Sequence, residues 1–441
     1  MKKQTTLLIA IIVIGISSTL TAQNWQLIIP SSAYDGNMLG LSSNAYDRSA
    51  NKIYSLLVSN VGSSLYSFDL NNNTVSDVTT SDDPSELYSF TLNADNSRIM
   101  AARAGTDVIY SISTNGGSWT NQQSGGAFDS YHYGANYYFN QVNNSVGFFG
   151  GYGFYSVNNA VYENDGTQWI EMLPNNSNCN KTVPPKRVGE ATSLGAPNSN
   201  EFYFMSGAGN CSGDQFASSC DLGSAWASDI GVWCWLKDLW KYNYDANEFT
   251  QILPVNSSSI TQEGDLAYDY CNNTFYMIGG YIPSPVFDPS YNPNFNSNVY
   301  RYRVGIDNGF VPIQINGAAP PILPISNMKQ HKAYFDIFNN RIIWIRFDGV
   351  YTFDVDECGL GMNENGSNSL ELYPNTSSDQ ITIKTDEVLT GKVFEVYDQV
   401  GKLILKGTLT GTKTSFQLNG IANGMYSIQI EDLAKRIFIV N

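Results

Sequence analysis

Histidine is the first residue type to examine for chemistry, because its side chain titrates near neutral pH. The chain has two histidines, His132 and His331, and each is predicted to open a strand. A lone histidine in such a place is more often packed or hydrogen-bonded than catalytic. A copper oxidase would need both histidines and a cysteine-linked tyrosine near one metal ion, and nothing in the sequence indicates that arrangement. We therefore predict no catalytic residue, no metal site and no cofactor.

Charged side chains near the predicted innermost strands leave one enzymatic alternative. A sialidase-like site would need an arginine cluster with a carboxylate nearby, and sugar hydrolysis in general uses paired carboxylates. The strand-borne arginines fall mostly on second or third strands: Arg98, Arg103, Arg301, Arg303, Arg341 and Arg346. Glu190, Glu263 and Asp265 lie near predicted inner strands. A carbohydrate-active hydrolase or lyase that uses channel carboxylates therefore stays open as the alternative.

Aromatic side chains gather in long predicted loops of the second half of the chain. These loops are Pro174 to Lys186, Ser206 to Leu236, Tyr281 to Ser297 and Gly317 to Gln330. Aromatic rings stack on sugars or anchor protein contacts, and loops on a rigid scaffold often carry recognition. The ligand-binding candidates are Trp226, Trp233, Trp235, Tyr281, Phe287 and Tyr291. The alternative is that these rings form a small local core for the loops.

Four cysteines lie in the same loops and are candidates for disulfides that staple them. They are Cys179, Cys211, Cys220 and Cys234. Disulfides form in oxidising compartments outside the cytosol, and six cysteines in total allow many connectivities. No C-x-x-C spacing is present, which argues against a zinc site.

A short aromatic pattern repeats along the chain and indicates how the loops are held. An aliphatic residue is followed by an aromatic one at Leu65-Tyr66, Ile109-Tyr110, Val161-Tyr162, Leu239-Trp240, Val299-Tyr300 and Val350-Tyr351. A strand pair precedes each copy and one more strand follows most of them, so each unit is predicted to be a four-stranded antiparallel sheet. Such units in a ring form a β-propeller. We predict an all-β, six-bladed propeller, with the sixth blade completed by the N-terminal segment from Asn24 to Ile29.

The middle units resemble kelch repeats. Gly150-Gly151 and Gly279-Gly280 end hydrophobic strands, and a strand-borne aromatic residue follows each pair. Glycine pairs of this kind allow tight turns at a strand end. The resemblance implies a kelch-like propeller over residues 23–357.

The beginning of the chain is typical of an export signal. Lys2 and Lys3 precede an apolar run from Leu7 to Ile16, and small polar residues lead to Ala22. This is the build of a signal peptide, predicted over residues 1–22. No later stretch reaches the roughly 20 apolar residues of a transmembrane helix. The net charge of −16 disfavours nucleic acid as a partner.

The end of the chain is predicted to be a small β-sandwich, residues 369–441, after a polar linker over residues 358–368. Tyr373-Pro374-Asn375 opens it, Ile421 to Tyr426 lies within it, and Lys435 to Val440 ends it. These marks resemble the type A sorting domain of bacterial type IX secretion. The resemblance implies contact with the type IX machinery and a secreted, extracellular or outer-membrane-attached protein. We therefore expect a secreted or cell-surface binding protein, whose long-loop face recognises a glycan or a protein.

Overall fold

The protein is described from a computed structural model. The structure describes residues 24–34, 44–59, 62–78, 87–103, 108–122, 135–140, 143–153, 156–178, 182–188, 191–196, 199–211, 225–228, 231–254, 260–262, 264–281, 294–324, 331–337, 339–346, 348–355, 370–373, 376–377, 380–385, 390–398, 402–422, 424–430 and 434–440. The predicted signal peptide and linker lie outside these ranges. Across them, no helix is long and apolar enough to cross a membrane.

Six four-stranded antiparallel sheets follow one another along the described chain, which confirms the six predicted blades. Each of the first five is formed by consecutive strands of the chain, interrupted only by the insertions described below. Their bounds are Asn44–Asp47, Lys52–Ser59, Gly62–Asp69 and Thr74–Asp77 in blade 1; Leu87–Leu92, Arg98–Arg103, Ile109–Ser113 and Thr120–Asn121 in blade 2; Asn136–Asn140, Ser145–Phe149, Val161–Asn164 and Trp169–Leu173 in blade 3; Ala191–Leu194, Glu201–Met205, Leu239–Asn243 and Glu248–Leu253 in blade 4; Asp265–Asp269, Thr274–Ile278, Val299–Arg303 and Val311–Pro312 in blade 5.

Blade 6 is closed by the start of the described chain, as the sequence predicts. Its first three strands are His331–Asp336, Arg341–Arg346 and Gly349–Asp354, and its outer strand is Trp25–Pro30, followed by a short 3-10 turn, Ser31–Ala33. Trp25 pairs with Phe353 in the ladder, and its ring lies 5.3 Å from that of Trp344. The closure therefore joins the two ends of the ring by both backbone hydrogen bonds and ring contacts.

The core lies between adjacent sheets, because strand residues alternate between the two faces of each blade. Between blades 5 and 6, for example, Ala267 and Tyr276 pack with Phe335, Trp344 and Phe353 in one buried cluster. At roughly 25 cal/mol for each Å² of apolar surface removed from water, these interfaces supply much of the stabilisation of the ring.

An asparagine in the left-handed backbone conformation ends many of the turns between blade strands. Asn51, Asn247 and Asn273 have φ angles of 52°, 53° and 47°. Each accepts a hydrogen bond at its Oδ1 from a tyrosine hydroxyl five residues earlier, at 2.8–2.9 Å. Asparagine adopts this conformation more readily than other non-glycine residues, so the frequent asparagines are partly a turn device.

The long loops carry strands of their own, which the sequence analysis did not predict. Segments from the loop that precedes blade 4 and from the loop within it form an extra four-stranded sheet, here called the insertion sheet. Its strands, in spatial order, are Lys186–Val188, Ala208–Asn210, Gly231–Trp235 and Ala225–Ser228. Two smaller ladders join Tyr152–Gly153 to Ser156–Val157, and Asn294–Phe295 to Leu323–Pro324.

The C-terminal domain has two sheets, as the predicted β-sandwich requires. One contains Leu370–Tyr373, Gln380–Thr385 and Lys413–Gln417; the other contains, in spatial order, Thr376–Ser377, Ala434–Val440, Gly424–Ile430, Val393–Tyr397 and Leu403–Thr408. The buried side chains of both sheets form one core, which includes Ile381, Phe394 and Ile428.

Candidate functional site

The long loops emerge on one face of the propeller, as the blade topology predicts. The strand Lys186–Val188 comes from the loop between blades 3 and 4, and it pairs with Ala208–Asn210 from the loop inside blade 4. In the same way, Asn294–Phe295 within blade 5 pairs with Leu323–Pro324 from the loop after blade 5. A loop between two blades and a loop between the second and third strands of one blade can pair only if both leave the ring on the same side. This side is here called the long-loop face.

A buried ion pair anchors the insertion sheet to blade 4. Arg187 donates from Nη1 and Nη2 to the two carboxylate oxygens of Asp238, at 2.8 and 2.7 Å, and both side chains are 0% exposed. Asp238 also accepts a hydrogen bond from Trp240 Nε1 at 2.8 Å. Arg187 donates further to the carbonyl oxygens of Ser206 and Pro185. The polar groups of this anchor thus bond one another, as burial of charge requires.

Close backbone packing holds the same sheet together. A Cβ atom on Gly209 would lie 1.8 Å from the carbonyl oxygen of Lys186, so only glycine fits there. Arg187 also forms an isolated bridge with Asn158 of blade 3. The insertion sheet is therefore fixed to two blades.

The tryptophan candidates occupy one hairpin of the insertion sheet. Trp226 and Trp233 are register partners on adjacent antiparallel strands, and Trp235 lies two residues beyond Trp233. Partners and i+2 residues share a face of a sheet. Trp235 is only 6% exposed, and the ammonium of Lys237 lies 4.1 Å from its ring centroid. By its register Trp235 shares the sheet face of Trp226 and Trp233, and it offers little surface of its own.

The other candidate residues have mixed positions. Tyr281 is 5% exposed, and its backbone forms an isolated bridge with Gln262. Phe287 and Tyr291 lie outside the described residues, as do Cys179 and Cys220. No described cysteine is a free thiol; Cys211 and Cys234 are among those described.

One arginine reaches across the central channel on the side opposite the long loops. Arg48, in the turn after the inner strand of blade 1, donates to the carbonyl oxygens of Gly195 and Leu194 at 2.7 and 3.3 Å. Those residues belong to blade 4, which lies across a six-membered ring. The guanidinium also lies 5.4 Å from the ring centroid of Tyr270 in blade 5. One arginine therefore joins three blades across this end of the channel.

A second cation crosses the ring nearer the long-loop face. Lys332, on the inner strand of blade 6, donates from Nζ to Thr192 of blade 4, at 2.7 Å to the carbonyl oxygen and 2.8 Å to Oγ1. The next residue, Ser193, accepts a hydrogen bond at Oγ from the backbone N–H of Tyr268 in blade 5. The inner strand of blade 4 is thus bound by three other blades.

Of the three carboxylates predicted near inner strands, Glu190 and Glu263 lie outside the described residues, and Asp265 already has partners. Asp265 Oδ2 lies 2.5 Å from His331 Nδ1 and accepts a hydrogen bond from Trp344 Nε1 at 2.7 Å. Glu163, on the third strand of blade 3, accepts hydrogen bonds from Tyr138, Asn140, Asn143 and Ser145. These contacts join strands and blades. His331 is thus hydrogen-bonded, as the sequence predicts, whereas His132 lies outside the described residues.

Arg346 completes the junction of blades 5 and 6 at the long-loop end of their strands. It donates from Nε and Nη2 to the two carboxylate oxygens of Asp348, at 2.8 and 2.9 Å, and from Nη2 to the carbonyl oxygen of Pro321. Burial lowers the pKa of Arg346, and Asp348 opposes that shift. Burial, and to a smaller extent the charge of Asp348, raises the pKa of Tyr351 to about 12. The arginine therefore acts as a fixed bridge between a turn and a loop.

Sequence reasoning missed the anchoring residues Arg187 and Asp238 and the channel residues Arg48 and Lys332. Their partners lie 51, 147 and 140 residues away along the chain. One signal was present in the sequence: Asp238 directly precedes Leu239-Trp240, one of the six aromatic repeat positions.

Comparison with known proteins identifies the C-terminal domain. Residues 371–440 match the family described as the secretion system C-terminal sorting domain. The domain directs export through the type IX secretion machinery, with which it interacts. The protein is therefore secreted and reaches the cell surface.

The propeller has counterparts among solved structures at low sequence identity. One is a gluconolactonase from Xanthomonas campestris, with a TM-score of 0.43 and 9% identity over 76% of this chain and 90% of that one. Another is a protein of unknown function from Bacteroides thetaiotaomicron, with a TM-score of 0.40 and 13% identity over 76% of each chain. No curated protein matches the sequence.

Proposed function

We propose that this secreted protein is a cell-surface binding protein, and that the long-loop face of its propeller recognises a glycan or a protein partner. The observation that carries the proposal is the insertion sheet. It is held by a fully buried ion pair, and it places Trp226 and Trp233 directly opposite each other in a hairpin. A rigid scaffold that carries an elaborated loop is a common basis for recognition.

Two tryptophans at partnered positions suit a flat or ring-shaped ligand. A tryptophan ring buries a large apolar area with few rotatable bonds, so it binds at a small entropic cost. Sugar rings and aromatic or aliphatic side chains of a partner protein both fit this chemistry. Among the six candidates, Trp226 and Trp233 are the pair on which the proposal depends.

The alternative, a hydrolase or lyase with channel carboxylates, has less support. Among its candidate carboxylates, Glu190 and Glu263 lie outside the described residues, and Asp265 is bonded to a histidine and a tryptophan. A general acid or a nucleophile has to reach its substrate, whereas Asp265 is buried and engaged within the fold.

The finer structural expectations belong to the same proposal. We propose that a signal peptide over residues 1–22 directs the chain across the inner membrane before the sorting domain acts. A kelch-like identity for the propeller over residues 23–357 is supported by paired positive φ angles at Gly150-Gly151 and Gly279-Gly280. Disulfides among Cys179, Cys211, Cys220 and Cys234 would staple the insertion, which is consistent with the lack of a free thiol among the described cysteines.

Binding arrays test the proposal directly. The full-length secreted protein would be applied to glycan arrays and to arrays of surface proteins. The Trp226→Ala/Trp233→Ala variant should lose the signal of the best ligand by at least tenfold. Trp119→Ala, a tryptophan of blade 2 that packs on Phe90, is the matched control and should keep it. No ligand on either array, or equal binding by the double variant, would disprove the proposed function.

A further inference from the structure

The five-stranded sheet of the C-terminal domain ends in a long edge strand. This strand is Leu403–Thr408, and among the strands that the structure describes it pairs only with Val393–Tyr397. The strand at the opposite edge, Thr376–Ser377, has two residues, whereas Leu403–Thr408 has six. Very short edge strands are one way in which proteins prevent a further strand from adding to a sheet. The edge formed by Leu403–Thr408 lacks this protection.

Two consecutive aliphatic residues of this edge strand are exposed. Leu403 is 45% exposed and Ile404 is 36% exposed. The ladder explains why both are at the surface: Val396 pairs with Leu405 and Tyr397 pairs with Leu403, so Ile404 is the extra residue of a bulge. Among the side chains of this domain whose exposure the structure describes, these two are the exposed large apolar ones.

The charged group on the same strand is already neutralised. Lys406 Nζ lies 2.6 Å from Oε1 of Glu395, its register partner on the neighbouring strand. The hydroxyl of Tyr397 also donates to Glu395. A lysine on an edge strand usually discourages the addition of a further strand. Here the ammonium is paired with a carboxylate of its own sheet, so that protection is weakened.

A second edge of the same domain shows the contrast. Lys413–Gln417 is the last strand of the three-stranded sheet. Lys413, Ser415 and Gln417 are exposed on it, and Phe416 is buried. This edge therefore presents only polar side chains to water, as a permanently solvated edge does.

Charge gives little basis for recognition of this domain. Residues 369–441 contain seven basic and eight acidic residues, a net charge of −1, whereas the whole chain carries −16. A partner that selects this domain must therefore rely mainly on backbone hydrogen bonds and apolar contact. The edge strand Leu403–Thr408 offers both.

We propose that Leu403–Thr408 is the docking edge of the sorting domain, and that an extended segment of a type IX machinery protein adds to it as a further strand. The match to the sorting-domain family identifies the occupant, because a domain of this kind interacts with that machinery. In strand addition, main-chain hydrogen bonds provide affinity and side-chain contacts provide specificity. Leu403 and Ile404 supply the apolar contact. The proposal concerns export and is independent of ligand binding by the propeller.

Export of the full-length protein from a bacterium that has the type IX machinery tests the proposal. The exported fraction of Leu403→Ser/Ile404→Ser should fall about fivefold or more, because the apolar contact is lost. Leu403→Val/Ile404→Val keeps an apolar edge and should be exported as the wild type is. Ile306→Ser changes an aliphatic residue of blade 5 that is 70% exposed, and it should also be exported normally. Melting temperatures of the purified variants, read by circular dichroism, should be equal because all the changed side chains are exposed.

Photo-cross-linking in the cell gives a second measurement that does not depend on the serine variants. A benzophenone amino acid replaces either Leu403 or Ser415, which lies on the polar edge of the other sheet. We expect cross-links to a type IX machinery protein, identified by mass spectrometry, from position 403 and not from position 415. Normal export of Leu403→Ser/Ile404→Ser would overturn the proposal. Equal cross-linking from both positions, or cross-links from position 403 only to a second copy of this chain, would overturn it as well.

Discussion

Removal of the Asp238 carboxylate should destabilise the propeller more than any surface change in the same blade. In Asp238→Ala the guanidinium of Arg187 loses two charge-assisted hydrogen bonds, at 2.7 and 2.8 Å, and Trp240 Nε1 loses its acceptor. Because both charges are 0% exposed, water does not replace the carboxylate. Breaking a buried ion pair by removing one partner costs about 3–5 kcal/mol.

Blade 4 also provides a control with an ion pair of nearly the same length. Lys241 Nζ lies 2.8 Å from Glu201 Oε1, but the two side chains are 29% and 25% exposed. Solvent screens such a pair, and its loss costs about 0–1 kcal/mol. Lys241→Met should therefore leave the protein close to wild-type stability.

Urea unfolding, followed by tryptophan fluorescence and circular dichroism, measures both variants. The shift in midpoint, multiplied by a shared slope, gives the change in free energy of unfolding. The Arg187→Met/Asp238→Leu double variant should recover at least half of the loss, because it removes both buried charges. Equal midpoints for Asp238→Ala and Lys241→Met would refute the assigned role of the ion pair.

Three further predictions concern turns, packing and pH. Asn273→Ala should lower the free energy of unfolding, measured with urea, by about 1–2 kcal/mol. Asn273→Gly should lower it by less, because glycine keeps the positive φ of 47° at no steric cost. Equal losses for the two variants would contradict this. Gly209→Ala should lower the melting temperature, because the added Cβ clashes with Lys186. Gly309→Ala should leave it unchanged, since no atom lies within 4 Å of the added Cβ. A Gly209→Ala variant with the wild-type melting temperature would contradict the close packing at Gly209. Burial raises the pKa of Tyr270 to about 12 from 10.0. The unfolded chain therefore loses this proton first, and stability should fall from about pH 10 to 12; a flat profile across that window, read by circular dichroism, would be the contrary result.

The sequence was sufficient to predict the ring because its signals are local and repeated. An aliphatic-aromatic pair recurs in each blade, and the segment around Trp25 resembles the outer strand that contains Trp169, so the closing strand was predictable. The turn asparagines form a second repeat that sequence reasoning overlooked. Asn51, Asn247 and Asn273 each follow a tyrosine by five residues, a spacing that is readable from the sequence alone.

The candidate site was predicted only in outline, because its geometry depends on distant contacts. Aromatic composition identified the loops but did not predict that they fold into a sheet. The strand Lys186–Val188 has three residues, too few for a period-two pattern to stand out. Trp235 is buried and has the ammonium of Lys237 over its ring, which aromatic composition alone did not predict. Arg187, the residue that anchors this sheet, has its partner 51 residues further along the chain.

The central claim is that the long-loop face, and the insertion sheet in particular, binds the ligand. Hydrogen–deuterium exchange of the full-length protein, with and without the best array ligand, tests it most directly. The account predicts slower exchange on binding in the insertion-sheet strands 186–188, 208–210, 225–228 and 231–235. Slower exchange confined to the turns on the opposite face, such as the one that contains Arg48, or to the outer strands of the blades would contradict it.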